Sequence, residues 1–188
     1  MSTIALVLQD PAARRVRAIW SILEGEFGLA GVRKVPFPHL TLLGFENLTH
    51  PAVKDLMERV SQASAPFQLE ASGLGLFNEP ARILYAPVVL TPNLHLLHRV
   101  LYEELKALGA RIPKFYSPSH WVPHLTLAQG EASRGSYGAA VDLLLQEPLQ
   151  MTFEVRNLTL FDWVGPRFEP CDRFPLMSRA ARQLAPER

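Results

Sequence analysis

The first half of the chain alternates between strand-like and helix-like spacing of apolar residues. Thr3–Gln9 is apolar and contains β-branched residues, which predicts a strand. Asp10 and Pro11 then open a helix, which we expect to end near Gly28 because glycine readily adopts the left-handed conformation that closes helices. One stripe of this helix is apolar at helical spacing and consists of Val16, Ile19, Leu23 and Phe27.

The same order of elements returns 81 residues later. Ile83–Leu90 predicts a strand, and Thr91 with Pro92 opens a helix that we expect to end near Gly109. Its apolar stripe consists of Leu94, Leu97, Leu101, Leu105 and Leu108. His95 and His98 lie three apart on this helix, without an evident third metal ligand, so we expect them on its solvated face.

The duplication extends through the rest of each half. Two further helices are predicted, the first from Val53, Leu56, Met57 and Val60, the second from Tyr137, Val141 and Leu144. Phe67–Phe77 then parallels Met151–Phe161 at an offset of 84. We interpret the chain as α+β, with two β-α-β-α-β lobes related by a pseudo-twofold axis. We expect two antiparallel sheets facing a central groove, with the helices outside. We expect residues 1–177 to form one bilobal domain and residues 178–188 to form a frayed tail.

Composition and charge exclude several classes of protein. With 48% hydrophobic and 20% charged residues, the chain of 188 residues is an ordinary globular one. Its net charge of +1 excludes a broad basic surface for duplex nucleic acid. Cys171 is the only cysteine, which excludes an internal disulfide and a cysteine-based zinc site. Since no targeting signal or membrane span is apparent, we predict a cytoplasmic protein. We expect it to be a monomer.

The candidate chemistry lies in a pentapeptide, Pro-His-Leu-Thr-Leu, that occurs at Pro38–Leu42 and again at Pro123–Leu127. Because side chains alternate between the faces of a strand, each histidine shares a face with the threonine two residues later. The pairs are His39 with Thr41 and His124 with Thr126. Two imidazoles can supply an acid and a base near neutral pH, while hydroxyls hold phosphoryl oxygens. The pattern favours metal-free attack on a phosphodiester, with a 2′,3′-cyclic phosphate as the natural candidate.

With its paired motif and duplicated lobes, the chain resembles the 2H phosphoesterases. These include the RNA 2′,3′-cyclic phosphodiesterases historically called 2′-5′ RNA ligases. The resemblance implies hydrolysis of a 2′,3′-cyclic phosphate to a 2′-phosphomonoester without metal or cofactor, with 2′-5′ ligation as the reverse reaction. It also implies that His39 is the acid for the leaving 3′ oxygen, that His124 is the base for water, and that Thr41 and Thr126 bind phosphate.

Two positions depart from the family pattern. Many RNA-processing members carry a basic residue where this chain has Gln129, and the first motif continues as Leu43-Gly44-Phe45-Glu46, without the frequent lysine. The substrate therefore stays open between RNA with a cyclic phosphate end, a smaller nucleotide, a 2′-5′-linked oligonucleotide and a non-nucleotide phosphodiester. The alternative function is a non-catalytic protein that binds RNA ends or nucleotides on the same fold.

Further substrate contacts are expected from aromatic and basic residues. Phe45 shares strand parity with His39, so a regular strand would turn it to the groove, and Tyr116 and Trp121 lie in the loop that enters the second motif. Phe45 and Trp121 could equally pack the interface between the lobes. Arg82 and Arg167 start matching strands, and we expect Arg82 to reach the phosphate.

Overall fold

A computed structural model describes residues 1–78, 82–129, 136–165 and 167–177; the predicted tail, residues 178–188, lies outside this range. The helices are α1 (Ala12–Phe27), α2 (His50–Ala63), α3 (Pro92–Ala107) and α4 (Ser136–Leu144). The strands of the first half are β1 (Ser2–Val7), β2 (His39–Phe45), β3 (Phe67–Ala71) and β4 (Gly75–Phe77). The remaining strands are β5 (Ile83–Pro87), β6 (His124–Gln129), β7 (Met151–Val155), β8 (Asn157–Val164) and β9 (Arg167–Pro175).

The helix ends follow the local signals in the sequence. Gly28 closes α1 with a φ of 68°, and Gly109 follows α3 with a φ of 89°, a region that side chains with a Cβ rarely adopt. At the start of α3, the Thr91 hydroxyl accepts a hydrogen bond from the backbone N–H of Leu94 at 3.3 Å. No described helix has both the length and the apolar character that crossing a bilayer requires.

The strands form two antiparallel sheets, which confirms the α+β class. The large sheet has the order β4-β5-β6-β2-β1-β8-β9, and β3 pairs with β7 in the small one. Strands from both halves therefore share each sheet, instead of one sheet belonging to each lobe. Pairing β2 with β6 joins the halves and leaves neither strand as an open edge, whose backbone groups would lack partners.

Equivalent residues face one another where the halves meet. Leu40 pairs with Leu125 between β2 and β6, and Leu69 pairs with Phe153 between β3 and β7. Antiparallel pairing of equivalent positions is what a twofold axis produces. The pseudo-twofold axis therefore passes between the two copies of the pentapeptide.

Each motif strand carries one extra residue directly after its threonine. In β2, Ala5 pairs with Thr41 and Ile4 with Leu43, so Leu42 has no partner on β1. In β6, Leu127 is the equivalent extra residue. Such β-bulges shift the alternation of side chains by one position.

The bulge corrects the prediction for Phe45. Beyond Leu42 the parity of β2 is reversed, so Phe45 turns to the helix-covered face and is 1% exposed. Its ring lies in the core and does not line the groove between the motifs.

The four helices and one face of the large sheet enclose the main core. Ile4, Leu6, Leu40 and Leu42 face the helices and are almost fully buried. Burying a side chain of this size contributes about 1.5–3 kcal/mol. Ala5 and Val7 face the other way and pack with Phe161 in a separate small cluster. The second face of the sheet therefore stays partly open, and the motif histidines and threonines lie on that face.

Candidate active site

Both copies of the motif open into one cavity of about 230 Å³. His39, Thr41, His124 and Thr126 all line it. Because Leu40 pairs with Leu125, the register sets His39 opposite Thr126 and Thr41 opposite His124. The two imidazoles and two hydroxyls that the sequence predicted to work together thus share one small space.

The backbone fixes the same tautomer in both imidazoles. Nδ1 of His39 lies 2.7 Å from the carbonyl oxygen of Phe37, and Nδ1 of His124 lies 2.7 Å from that of Val122. A carbonyl can only accept a hydrogen bond, so in each ring Nδ1 carries a proton and donates it. Nε2 is left as the atom that can take up or release a proton.

Burial lowers the pKa of both histidines. Desolvation is the largest cause for His39, and the hydrogen bond to Phe37 partly offsets it, while the charge of His124 lowers the pKa further. For His124, desolvation again lowers the pKa, against the effect of the bond to Val122. Because the charge on one ring disfavours the charge on the other, the site favours one protonated and one neutral imidazole over two protonated ones.

A phenylalanine ring lies beside each histidine. The ring centroid of Phe161 lies 5.9 Å from that of His39, and the centroid of Phe77 lies 5.1 Å from that of His124. Phe77 and Phe161 hold equivalent places in the duplication, so each imidazole has a matching apolar neighbour. The aligned Leu-x-Leu-Phe segments could have identified both residues from the sequence.

The two ends of the site nevertheless differ. Tyr85 stacks on Phe77 at 4.3 Å and lies 5.1 Å from His124, whereas the equivalent position beside Thr41 is Ala5. At this position the His124 end therefore carries an aromatic ring, whereas the His39 end carries a methyl group. Such an asymmetry can set which end of a substrate lies against which histidine.

Tyr116 and Met1 occupy the space beside Gly44. A Cβ at Gly44 would lie 2.7 Å from the terminal methyl carbon of Met1 and 2.8 Å from a ring carbon of Tyr116, so these two side chains fill the space that a larger residue would need. The equivalent residue in the second half, Gln129, lines the cavity, as Tyr116 does. Burial raises the pKa of Tyr116 to about 12, so its hydroxyl stays protonated and able to donate a hydrogen bond.

Two tryptophans donate hydrogen bonds to the backbone of the motif strands. The indole N–H of Trp121 donates to the carbonyl of Thr41 at 3.2 Å, and that of Trp20 donates to the carbonyl of Thr126 at 2.9 Å. Both carbonyls directly precede the extra residues Leu42 and Leu127. The indoles therefore bond to the backbone at the two bulges.

Trp121 is buried and does not line the cavity, so its ring offers no exposed surface there on which a base could stack. It is 8% exposed and lies against His98, with ring centroids 3.9 Å apart. His98 is fully buried, which contradicts its predicted place on a solvated helix face. Burial lowers its pKa to about 4, so the ring is neutral.

Arg82 does not line the cavity. Its side chain is exposed, and its carbonyl accepts a hydrogen bond from the hydroxyl of Tyr137 at 2.8 Å. Among the described residues that line the cavity, only Lys34 has a side chain with a permanent positive charge. The side chain of Arg167 lies outside the described part of the structure.

A larger hollow of about 570 Å³ lies between α2 and α3. Its rim carries the ion pair of Arg59 with Glu104, at 3.1 Å, but neither motif reaches it. Size alone would favour this hollow, whereas the paired histidines and threonines favour the smaller cavity as the chemical site.

Comparison with known proteins gives a family and a fold. The family model described as the 2′-5′ RNA ligase superfamily matches residues 8–167. A search of curated proteins finds no match.

Two solved structures illustrate the likeness in fold. TT0787 of Thermus thermophilus is 22% identical, with a TM-score of 0.63 over 95% of this chain and 98% of that one. Escherichia coli LigT complexed with 3′-AMP is 18% identical, with a TM-score of 0.64 over 94% of this chain and 98% of that one.

Proposed function

The chain belongs to the 2′-5′ RNA ligase superfamily, and from that premise we propose that it is a metal-independent phosphodiesterase that hydrolyses 2′,3′-cyclic phosphates to 2′-phosphomonoesters. One observation carries the proposal: His39 and His124, both protonated on Nδ1, line a single cavity. Two free Nε2 atoms in one space can serve the two proton transfers of a phosphodiester displacement.

The reaction follows from one protonated and one neutral ring. Nε2 of His124 takes a proton from water as the water oxygen bonds to phosphorus, and the bond from phosphorus to O3′ breaks. Nε2 of His39 gives its proton to O3′, which leaves a 3′ hydroxyl and a 2′-phosphomonoester. Exchange with solvent restores both rings. Thr41 and Thr126 donate hydrogen bonds to the phosphate oxygens, and attack by a 5′ hydroxyl in place of water gives a 2′-5′ linkage, which is 2′-5′ ligation.

The substrate that fits best is a nucleotide or the end of an RNA strand. The cavity of about 230 Å³ is below the range of roughly 300–1,000 Å³ that holds a drug-sized molecule, so it suits a cyclic phosphate and its sugar. LigT has been crystallised with 3′-AMP, with ATP and with NADP+, which supports a nucleotide for this chain.

A non-catalytic nucleotide-binding protein on the same fold is the second candidate. Gln129 in the cavity and the net charge of +1 favour it slightly over an unmodified RNA-processing role, because both depart from the basic character of RNA-processing members. It predicts binding of cyclic-ended oligonucleotides without turnover.

Activity on defined substrates tests the proposal. The protein should open 2′,3′-cyclic AMP or a cyclic-ended oligonucleotide and release the 2′-phosphate alone, as identified by phosphorus NMR. Preincubation with EDTA should leave the rate unchanged, because no step of the reaction uses a metal. A 3′-phosphate product, or loss of activity on chelation, would contradict the mechanism. Binding without turnover would select the second candidate.

The pH dependence of kcat/KM should be bell-shaped, because the base must be neutral and the acid protonated. The value of kcat/KM falls when the pH drops below the pKa of His124 and when it rises above the pKa of His39. Since burial lowers the pKa of both, the maximum should lie on the acid side of the ordinary histidine value of about 6.5. A flat profile, or a maximum well above neutrality, would contradict these assignments.

The pH series needs a check on folding. The folded protein holds the pKa of His98 at about 4, well below that of an exposed histidine, so the unfolded chain binds this proton at higher pH. The contribution of His98 to the free energy of unfolding is therefore fully present above about pH 6.5 and is lost as the pH drops towards about 4. Circular dichroism at each pH separates loss of fold from loss of rate.

A further inference from the structure

Three potential metal ligands converge away from the catalytic groove. His50, Asp162 and Cys171 each offer one ligand atom, and these atoms lie within 4.8 Å of one another. Among the described residues, no other group of histidine, cysteine and carboxylate side chains meets in this way. The three residues come from three elements, α2, β8 and β9.

The fold explains why these residues meet. Asp162 pairs with Ser2 and so turns to the helix-covered face of β8. Cys171 is an extra residue in β9, between Asp172, which pairs with Leu160, and Pro170, which pairs with Phe161. His50 is the first residue of α2, and its Nε2 contacts the carboxylate of Asp162.

We propose that this cluster is a zinc site, with Nε2 of His50, a carboxylate oxygen of Asp162 and Sγ of Cys171 as ligands and a water molecule in the fourth position. Imidazole, thiolate and carboxylate are the groups that bind Zn²⁺ in proteins, and three protein ligands with one open position is a common set. The sulfur ligand favours zinc over magnesium or calcium, which bind oxygen. Thiolate and carboxylate together balance the charge of the ion.

The local charges fit a cation at this point. The ammonium group of Lys54 is 2.9 Å from Asp172 and is neutralised there, so it does not oppose an ion at Cys171. A bound cation would replace the proton of the Cys171 thiol.

Only a small movement is needed to close the site. Zinc bonds of about 2.0–2.3 Å set tetrahedral ligand atoms roughly 3.3–3.8 Å apart. The ligand atoms lie within 4.8 Å of one another, so the widest separation must shrink by no more than roughly 1–1.5 Å, while Nε2 of His50 and the carboxylate of Asp162, which are in contact, must move slightly apart. The side chains of His50 and Asp162 are 40% and 27% exposed, and Cys171 is exposed, so rotation about their side-chain bonds can supply this.

The role of such a site would be structural and independent of the proposed reaction. The ion would tie the start of α2 to the hairpin of β8 and β9. A single cysteine excludes a site built from several cysteines, but it leaves open a mixed site whose ligands lie 112 and 9 residues apart in the chain.

Cobalt(II) titration of the EDTA-treated, full-length protein tests the proposal, because a thiolate bound to cobalt gives a charge-transfer band in the near ultraviolet. The unaltered protein should develop the band at one equivalent, and zinc should displace cobalt and abolish it. Cys171→Ser should lose the band, and His50→Gln and Asp162→Asn should each weaken binding about tenfold or more. Zinc should also raise the melting temperature of the unaltered protein and have little effect on the three variants.

Asp55→Asn is the matched control, since it removes an exposed carboxylate of α2 that is not one of the three ligands. Its affinity should stay within about threefold of the parent, and circular dichroism should show all four variants folded. The proposal is overturned if the parent binds no cobalt or zinc at one equivalent, or if Cys171→Ser binds cobalt with the same spectrum. It is also overturned if Asp55→Asn weakens binding as much as Asp162→Asn does.

Discussion

His39→Ala and His124→Ala should each lower kcat/KM for a 2′,3′-cyclic nucleotide by about 10²–10⁴-fold, the usual contribution of a positioned general acid or base. Each imidazole handles a different proton, so neither can replace the other. The fold-loss in kcat/KM of the double variant should be far smaller than the product of the two single losses, since the effects of removing groups that act together are not additive. Initial rates with 2′,3′-cyclic AMP measure the effect.

His120→Ala is the matched control for these variants. His120 is exposed in the loop before β6, bonds to Ser117 and Ser119, and does not line the cavity. Its replacement should leave the rate within about twofold of the parent, as surface substitutions usually do. If a folded His39→Ala or His124→Ala protein keeps the parental rate, that histidine is not catalytic.

Thr41→Val and Thr126→Val should each lower kcat/KM by about 10–100-fold. Valine keeps the branched shape of threonine and removes only the hydroxyl. A hydrogen bond to a charged group contributes about 1.5–3 kcal/mol, and about 1.4 kcal/mol corresponds to a factor of ten. The same rate assay on 2′,3′-cyclic AMP measures the loss.

Serine provides the rescue in this experiment. Thr41→Ser and Thr126→Ser keep the hydroxyl and should recover most of the rate. Thr152→Val on the exposed side of β7 lies outside the cavity and should have no effect. Equal activity of the valine and parent proteins would show that the hydroxyls do not hold the phosphate.

The sequence predicted those features that depend on local periodicity and on the duplication. Alternation in a strand predicted that His39 and Thr41 would share a face, and both line the cavity. Helical spacing predicted all four helices, and Gly28 and Gly109 gave two of their ends. The repeat predicted the pseudo-twofold arrangement, because equivalent residues must occupy equivalent places.

Features that depend on distant parts of the chain were not predictable in this way. The bulge at Leu42 reverses the parity of β2, so the regular alternation that correctly oriented Thr41 gave the wrong face for Phe45. Trp121 was expected near the substrate, but its indole lies behind Thr41 and bonds to the backbone. The pairing of β2 with β6 depends on backbone groups 85 residues apart, which side-chain pattern does not encode.

The measurement that tests the central claim most directly is the pH dependence of kcat/KM for the parent, His39→Ala and His124→Ala proteins on 2′,3′-cyclic AMP. If the two rings act as acid and base at one phosphorus, the pH profile of the parent is bell-shaped and the profile of each variant falls on one side only. His124→Ala should lose the fall at low pH, and His39→Ala the fall at high pH. A bell-shaped pH profile of the residual activity in both folded variants would contradict the account.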